Sequence, residues 1–480
     1  MQDMLFKTSN KLYRLGLEFY ELDDGSDVDV GAYLTDAELF QNFLKTNDQP
    51  NFIRICWNDF TAQPKMRMVP FRKFMSLLGD GKSTDIGITK AAFSMIQNDW
   101  LMPGAVATGE YRLHPDFSSL KKGPIDGHVS MYADFREKSG ARVALCPRSL
   151  LQRAVEFGAE NNLAFLLGFE IEFLLVERLE KAPNTANGSR FTTLTTDGHA
   201  WSVSRYFADP KISKLLHDIV AALEEMGIFV EQLHAESATG QFELVLPPYS
   251  PIEAVDTLLH TRDVMCALAT AAGFRLTLHP KPFAHACGTA AHTHVSISSP
   301  GGSRPEIYES FYAGVLKHLR AITAFTYSNP ASFERLVDGA WAGGRWVTWG
   351  TQNRETALRK VEDSHWELKS MDGLANPYFA MSALLFSGIH GVVAREKLVW
   401  GDCEIDPANL TENDRKEMGV TQMLPGSVEE ALGALREDEE LVGHIGAELV
   451  ERYTALKEFE LKFLQKMDEE ERRQWLMERY

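Results

Sequence analysis

The sequence predicts an α+β protein, and three observations carry that reading. Residues 51–70 and 109–142 hold short alternating strand patterns separated by turn signals. A long apolar run from Leu163 to Val176 reads as a buried strand, with Glu170 and Glu172 as its only charges. Helical periodicity recurs at 150–160, 211–226, 251–272, 311–327 and 376–393, and again in the charged tail from 427 to 480. At 480 residues the chain can hold more than one core. The pattern divides into a helical extension (1–48), a small stranded domain (49–140) and a large domain (141–480).

In chain order, Lys11–Phe19 is amphipathic and is broken at Asp23-Asp24-Gly25. Thr35 then starts a short helix with acidic residues in its first turn. Asn51–Phe60 reads as a strand and Lys65–Pro70 as its hairpin partner. Cys146-Pro147-Arg148-Ser149 opens a helix that leads into the glutamate strand. Residues 184–202 are polar and read as loop. Leu215, Ile219 and Leu223 mark one helix face. Residues 228–246 return to strand, and 276–298 read as strand, loop, strand.

Composition excludes several classes. The net charge of −18 argues against a nucleic-acid or anionic-membrane surface. Five scattered cysteines form no C-x-x-C pair, which argues against a zinc knuckle or a disulfide framework. The apolar runs are short or interrupted by glutamate and glycine, so no membrane span is expected. The first residues, M-Q-D-M-L-F-K-T, show no signal-peptide pattern. The expectation is a cytoplasmic protein in a reducing compartment.

The chemistry begins with Glu170 and Glu172. Residues two apart on a strand share a face, so both carboxylates project together. Two buried like charges are costly unless a cation joins them, and Mg2+ or Mn2+ takes carboxylate oxygens. For an isolated E-x-E, two salt bridges or a solvated strand edge are the commoner explanation. Further candidate ligands strengthen the metal reading: Glu236 and Glu243 flanking Gly240, His292 and His294 two apart on a strand, and Glu367 in H-W-E-L-K. Arg335, Arg354, Arg359 and Lys369 fall near Glu367 in sequence. They could form a solvated face or hold phosphate and carboxylate groups. With no P-loop and no kinase glycine loop, the residues alone point to metal-dependent phosphoryl chemistry and no further.

The motifs G-F-E-I-E-F (168–173), E-S-A-T-G-Q-F-E (236–243), K-P-F (281–283), G-T-A-A-H-T-H-V-S (288–296), R-L-V-D-G (335–339), N-R-E-T-A-L-R (353–359) and A-N-P-Y-F-A (375–380) together, and in this order, resemble the prokaryotic-type branch of glutamine synthetase. The resemblance implies a small β-grasp domain followed by a catalytic domain with a curved antiparallel sheet. It also implies homo-oligomeric stacked rings with active sites shared between neighbours. It assigns one metal ion to Glu172, Glu236 and Glu243, and a second to Glu170, His292 and Glu367. It places Gly288, Arg335 and Lys369 at the acid substrate, Arg354 and Arg359 at the phosphates of ATP, and His294 and Ser296 along the nucleotide. The implied reaction activates a γ-carboxylate with ATP to a γ-glutamyl phosphate, which an amine then attacks.

Departures from the family pattern narrow the expectation. Ammonia-using members carry a glutamate six residues after the arginine of R-L-V-x-G, and here that position is Trp341. Cys287, His365 and Lys369 stand where the family has asparagine, arginine and arginine. Residues 401–420 contain no tyrosine, the residue that regulated bacterial enzymes modify there. Trp341 with T-W-G-x-x-N-R at 348–354 is similar to the γ-glutamylpolyamine and other γ-glutamylamide synthetases. The resemblance therefore implies a glutamate–amine ligase whose acceptor pocket includes Trp341. The alternatives are an ammonia-using glutamine synthetase and a catalytically silent structural or regulatory relative.

Overall fold

The structure is a computed structural model describing residues 34–79, 81–179, 190–194, 200–207, 209–283, 286–339 and 342–480. The expected helix at Lys11–Phe19 and Trp341 lie outside the described residues.

Two sheets organise the chain. The first contains β1 (Phe52–Asn58), β2 (Pro64–Pro70), β3 (Ile86–Thr89), β4 (Glu110–Pro115), β5 (Lys121–Lys122) and β6 (His128–Arg136). Its order is β2-β1-β6-β4-β3, with β5 beside β6. The β1–β2 hairpin is antiparallel and β1–β6 is parallel. The Asp36–Leu44 helix starts at Thr35 with a capping box closed by Glu38. This helix packs onto the first sheet's core. Fully buried Phe40 meets Phe71, Phe74 and Phe117.

The second sheet carries the chemistry. Its strands are β7 (Phe165–Arg178), β8 (Phe191–Thr193), β9 (Gln232–Ala235), β10 (Gln241–Val245), β11 (Arg275–Thr277), β12 (Thr293–Ile297), β13 (Trp349–Thr351), β14 (Leu358–Glu362) and β15 (His365–Leu368). The order is β13-β14-β15-β12-β7-β10-β9, and β8 and β11 also pair with β7. All pairings are antiparallel except β13–β14. The 184–202 stretch, read from sequence as loop, thus contributes β8. Its threonines and Phe191 suit a strand despite the polar surroundings.

β7 changes partners along its length. Phe165–Phe169 pair with β12, and Leu174–Val176 pair with β11. Between them, the Glu170 and Glu172 amides donate to the carbonyls of His292 and Ala290. The chain joining β11 to β12 is thereby drawn along the glutamate segment.

Helices cover the sheet, and the Pro305–Thr326 and Pro377–Ala394 helices cross tightly. An added Cβ on Gly314 would lie 2.3 Å from the Ser387 carbonyl oxygen, and one on Gly391 2.3 Å from that of Ser310. Glycine is what allows these backbones to meet. Pro377–Ala394 is also long and apolar enough to cross a bilayer, contrary to the expectation that no segment is. Here 78% of it is buried inside the protein, as a central core helix. The first sheet is anchored to this layer by Arg148. Its guanidinium donates to Asp256 (2.8 and 3.1 Å), Asp116 (2.6 Å) and Asp134 (3.4 Å), while Tyr378 donates to Asp256.

Candidate active site

Strand register builds the site. Gly168, Glu170 and Glu172 alternate onto one face of β7. Glu243 lies opposite Glu172, and His234 lies opposite Glu243. On the other flank His294 lies opposite Gly168, Glu367 opposite His294, and Arg359 opposite Glu367. Directly opposed residues share a face. Six strands therefore bring chemistry-bearing side chains to one surface, although the residues span more than 190 positions of sequence.

The side chains meet there. His292 Nδ1 is 2.8 Å from Glu170 Oε2, 3.5 Å from Glu367 Oε1 and 3.7 Å from Glu172 Oε1. His294 Nε2 is 3.0 Å from Glu170 Oε1. His234 Nε2 is 3.1 Å from Glu243 Oε1, and its Nδ1 is 3.8 Å from Glu236 Oε1. Among the described residues, three groups have donor atoms close enough to share an ion: Glu170–His294–Glu367, Glu170–Glu243–His292 and His234–Glu236–Glu243. Five of the six ligands expected from sequence fall in these groups, and Glu172 adjoins them through His292. Glu170 sits at the centre of two groups. His294, expected along the nucleotide, stands with Glu170 and Glu367. His234 was not anticipated; its signal was alternation with Glu236 on the strand leading into that glutamate.

The electrostatics fit a cation. Burial pushes the Glu172 carboxyl up to about 8, reinforced by Glu243 and Glu236, while Arg335 opposes the rise. Burial also raises Glu243, against the hydrogen bond from His234. Burial would raise Glu170 too, but hydrogen bonds from His292 and His294 outweigh it and hold that carboxylate well below its usual range. Burial pushes His292 down to about 4, so the imidazole is neutral and can act as a ligand. An oxygen-rich set with imidazoles suits Mg2+ or Mn2+.

Gln241, Gly288 and Glu367 link this cluster to a cationic side. Gln241 donates from Nε2 to Glu172 Oε2 (2.9 Å) and to the Gly288 carbonyl (3.0 Å). Gly288 packs on Arg335, where an added Cβ would lie 2.9 Å from the Arg335 Cβ. Buried Arg335 donates to the Tyr327 hydroxyl at 2.8 Å, while its Nε has no hydrogen-bond partner, as suits a side chain shaped for an anion. Arg359 Nε lies 2.9 Å from Glu367 Oε2, and Lys369 Nζ is 3.1 Å from Glu367 Oε1. Burial would raise Glu367, but Lys369, His292 and Arg359 pull it down to about 2. Lys369 also approaches His292 Nε2 at 3.3 Å, so it faces the acidic cluster rather than a separate pocket. Ser296 follows His294 on the same strand face. Arg354 is exposed in the turn before β14 and is not drawn into the cluster.

Residues 144–480 match the glutamine synthetase catalytic domain. The chain belongs to the glutamine synthetase family. It is 38% identical over its whole length to protein fluG of Emericella nidulans, and it spans 54% of that protein. It is 30% identical over 75% of its length to gamma-glutamylpolyamine synthetase GlnA3 of Streptomyces coelicolor, covering 79% of that protein. It is 26% identical over 89% of its length to type-1 glutamine synthetase 1 of Dictyostelium discoideum, covering 89% of that protein. In fold it resembles a GmaS/ADP complex, with a TM-score of 0.76 at 23% identity over 90% of this chain and 98% of that one. The family comprises carbon–nitrogen ligases that use ATP and divalent metals. The first sheet lies wholly before the matched segment, and the whole six-strand face lies within it.

Proposed function

We propose that this protein is an ATP-dependent ligase that joins the γ-carboxylate of glutamate, or of a closely related acid, to an organic amine. The reading rests on the convergent face of Glu170, Glu172, Glu236, Glu243, His292 and Glu367, with Arg335 beyond it and tryptophan at position 341. The similarity to a gamma-glutamylpolyamine synthetase supports the acceptor class.

Glu172, Glu236, Glu243 and His234 would hold one divalent ion, and Glu170, His292, His294 and Glu367 the other. Such ions polarise phosphoryl oxygens and offset their charge. Arg335, with its unpartnered Nε beside Gly288, is placed to take the α-carboxylate of the acid. Arg359, and Lys369 once turned away from Glu367, supply positive charge for the transferring phosphoryl group, whose transfer gives a γ-glutamyl phosphate. Holding acid and amine beside that centre makes the displacement a positioned one. Arg354 reaches the nucleotide only if its loop turns inward or a neighbouring subunit completes the site, as a ring assembly would allow. A cytoplasmic location accords with the net charge of −18 and the five free cysteines.

Ammonium needs a carboxylate near it to offset its desolvation and to accept its proton. Tryptophan provides an apolar wall and a π face instead, which suits alkyl or aromatic amines and their cations. The test is amine-dependent ADP release with glutamate and ATP, comparing ammonium, putrescine, longer polyamines, ethanolamine and aromatic amines. The expected result is a kcat/KM for one organic amine at least tenfold above that for ammonium, with Trp341→Glu shifting preference toward ammonium. Ammonium as best acceptor would make the protein a glutamine synthetase. One observation favours a silent relative: Lys369 already neutralises Glu367 and abuts His292. Absence of ADP release with every acid and amine would establish that alternative.

A further inference from the structure

The Val203–Tyr206 helix places Arg205 beneath the turn that carries Glu236. Arg205 is 2% exposed, among the largest fully buried side chains of the protein. Its Nη1 donates to the carbonyls of Glu236 and Ser237, the latter at 3.3 Å, and its Nη2 donates to that of Ala238. Three consecutive carbonyls thus converge on one guanidinium. A planar, permanently charged fork can satisfy several acceptors at fixed angles.

With the carbonyls gathered inward, the amides of the turn point the other way. The Ser237 amide donates to Glu236 Oε2 at 2.9 Å, fixing that carboxylate. The Ala238 amide donates to Gln241 Oε1 at 2.8 Å, which leaves Gln241 Nε2 aimed at Glu172 and the Gly288 carbonyl. Gly240 closes the turn with a φ of +74°, against the Leu175 carbonyl oxygen 2.8 Å from where a Cβ would sit. One guanidinium therefore sets the orientation of Glu236 directly and of Glu172 through Gln241.

We propose that Arg205 is a positioning residue that shapes the Glu236–Gln241 turn into one wall of the divalent-metal cradle, and so sets metal affinity without touching metal or substrate. The proposal rests on the reading of these glutamates as metal ligands. Outer-shell partners of metal ligands typically change affinity by about 10–100-fold when lost.

The experiment is a Mn2+ titration of the full chain by electron paramagnetic resonance, with no substrate present. It compares wild type, Glu243→Gln, Arg205→Met and Arg205→Gln, and a thermal midpoint is recorded for each metal-free protein. The expected result is a Mn2+ affinity at least tenfold weaker in Arg205→Met, in a metal-free protein that still unfolds in one cooperative transition at a lowered midpoint. If Arg205→Met does not fold, Arg205→Gln, which reaches only one carbonyl, carries the test with the same tenfold criterion. Wild-type Mn2+ affinity in whichever folded Arg205 variant is measured overturns the proposal. Wild type that binds no Mn2+ overturns the metal reading itself, and Glu243→Gln separates the two: it loses affinity where the metal reading holds, whatever Arg205 does.

Discussion

Replacing Glu172 by glutamine separates a metal ligand from a structural carboxylate. Its Oε2 accepts from Gln241 and from the Ala290 amide (3.0 Å), bonds that a glutamine carbonyl can keep. The substitution therefore removes charge and little else. Burial and the neighbouring Glu243 and Glu236 raise this carboxyl from 4.5 to about 8. At roughly 1.4 kcal/mol per unit, ionising it in the metal-free fold costs on the order of 5 kcal/mol, a strain shared with its two acidic neighbours. Because the folded state holds the proton more tightly than the unfolded chain, stability falls as pH rises from 4.5 through 8. Metal-free Glu172→Gln should then match wild type near pH 5 and exceed it by roughly 1–3 kcal/mol at pH 9. Mn2+ at about 100 times its Kd stabilises a binding protein by about 2.7 kcal/mol, and the variant should lose most of that gain. Thermal and urea midpoints at both pH values, with chelator and with Mn2+, measure all four quantities. A variant less stable than wild type at pH 9, and still stabilised by Mn2+ to the same extent, would refute the reasoning.

Three further outcomes follow from packing and burial. Gly314→Ala and Gly391→Ala each drive a methyl group into a facing backbone carbonyl, so each should cost about 1–3 kcal/mol by urea midpoint, and an unchanged midpoint would mean the helices are not so closely crossed. Arg148→Met leaves Asp256 buried without its cation, so it should destabilise by about 3–5 kcal/mol and loosen the first sheet from the helical layer, seen as faster amide exchange in β6. Burial pushes His260 and His279 down to about 3, so the unfolded chain takes up their protons first; each should remove up to about 1.4 kcal/mol per pH unit as pH falls from 6.5 toward 3, and His279→Gln, which can still accept from the Lys281 amide, should flatten the acid slope of the thermal midpoint.

The parts of this molecule legible in sequence are those governed by local periodicity. The β1–β2 hairpin, the Pro147 helix start and the Leu215/Ile219/Leu223 face each follow from spacing within one segment. The E-x-E pair was legible for the same reason, because strand alternation fixes its common face whatever the partners. What the sequence could not show is which strands lie side by side. His234 looked like an unremarkable strand residue until β9 paired with β10 and set it opposite Glu243. Arg205 lies in a short polar helix and has no local pattern at all. Its importance exists only in relation to carbonyls more than thirty positions away.

Lys369 shows the same limit in its chemistry. In sequence it is a lysine where the family has arginine, and the natural inference is a weaker hold on a substrate carboxylate. In the fold its ammonium lies 3.1 Å from Glu367 and 3.3 Å from His292, with its side chain almost wholly buried. A lysine is a compact point charge on a flexible stem, so it can fold back onto a carboxylate two residues before it on the same strand face. A cation bound by Glu367 and His292 would therefore have to share their lone pairs with Lys369 or displace it. The substitution thus affects the metal side of the site as much as the substrate side, and these two effects have opposite remedies. If Lys369 mainly competes with metal, Lys369→Met should tighten Mn2+ binding even as it removes a charge from the substrate side. If it mainly serves the substrate, the same change should leave Mn2+ binding alone and raise the KM for the acid.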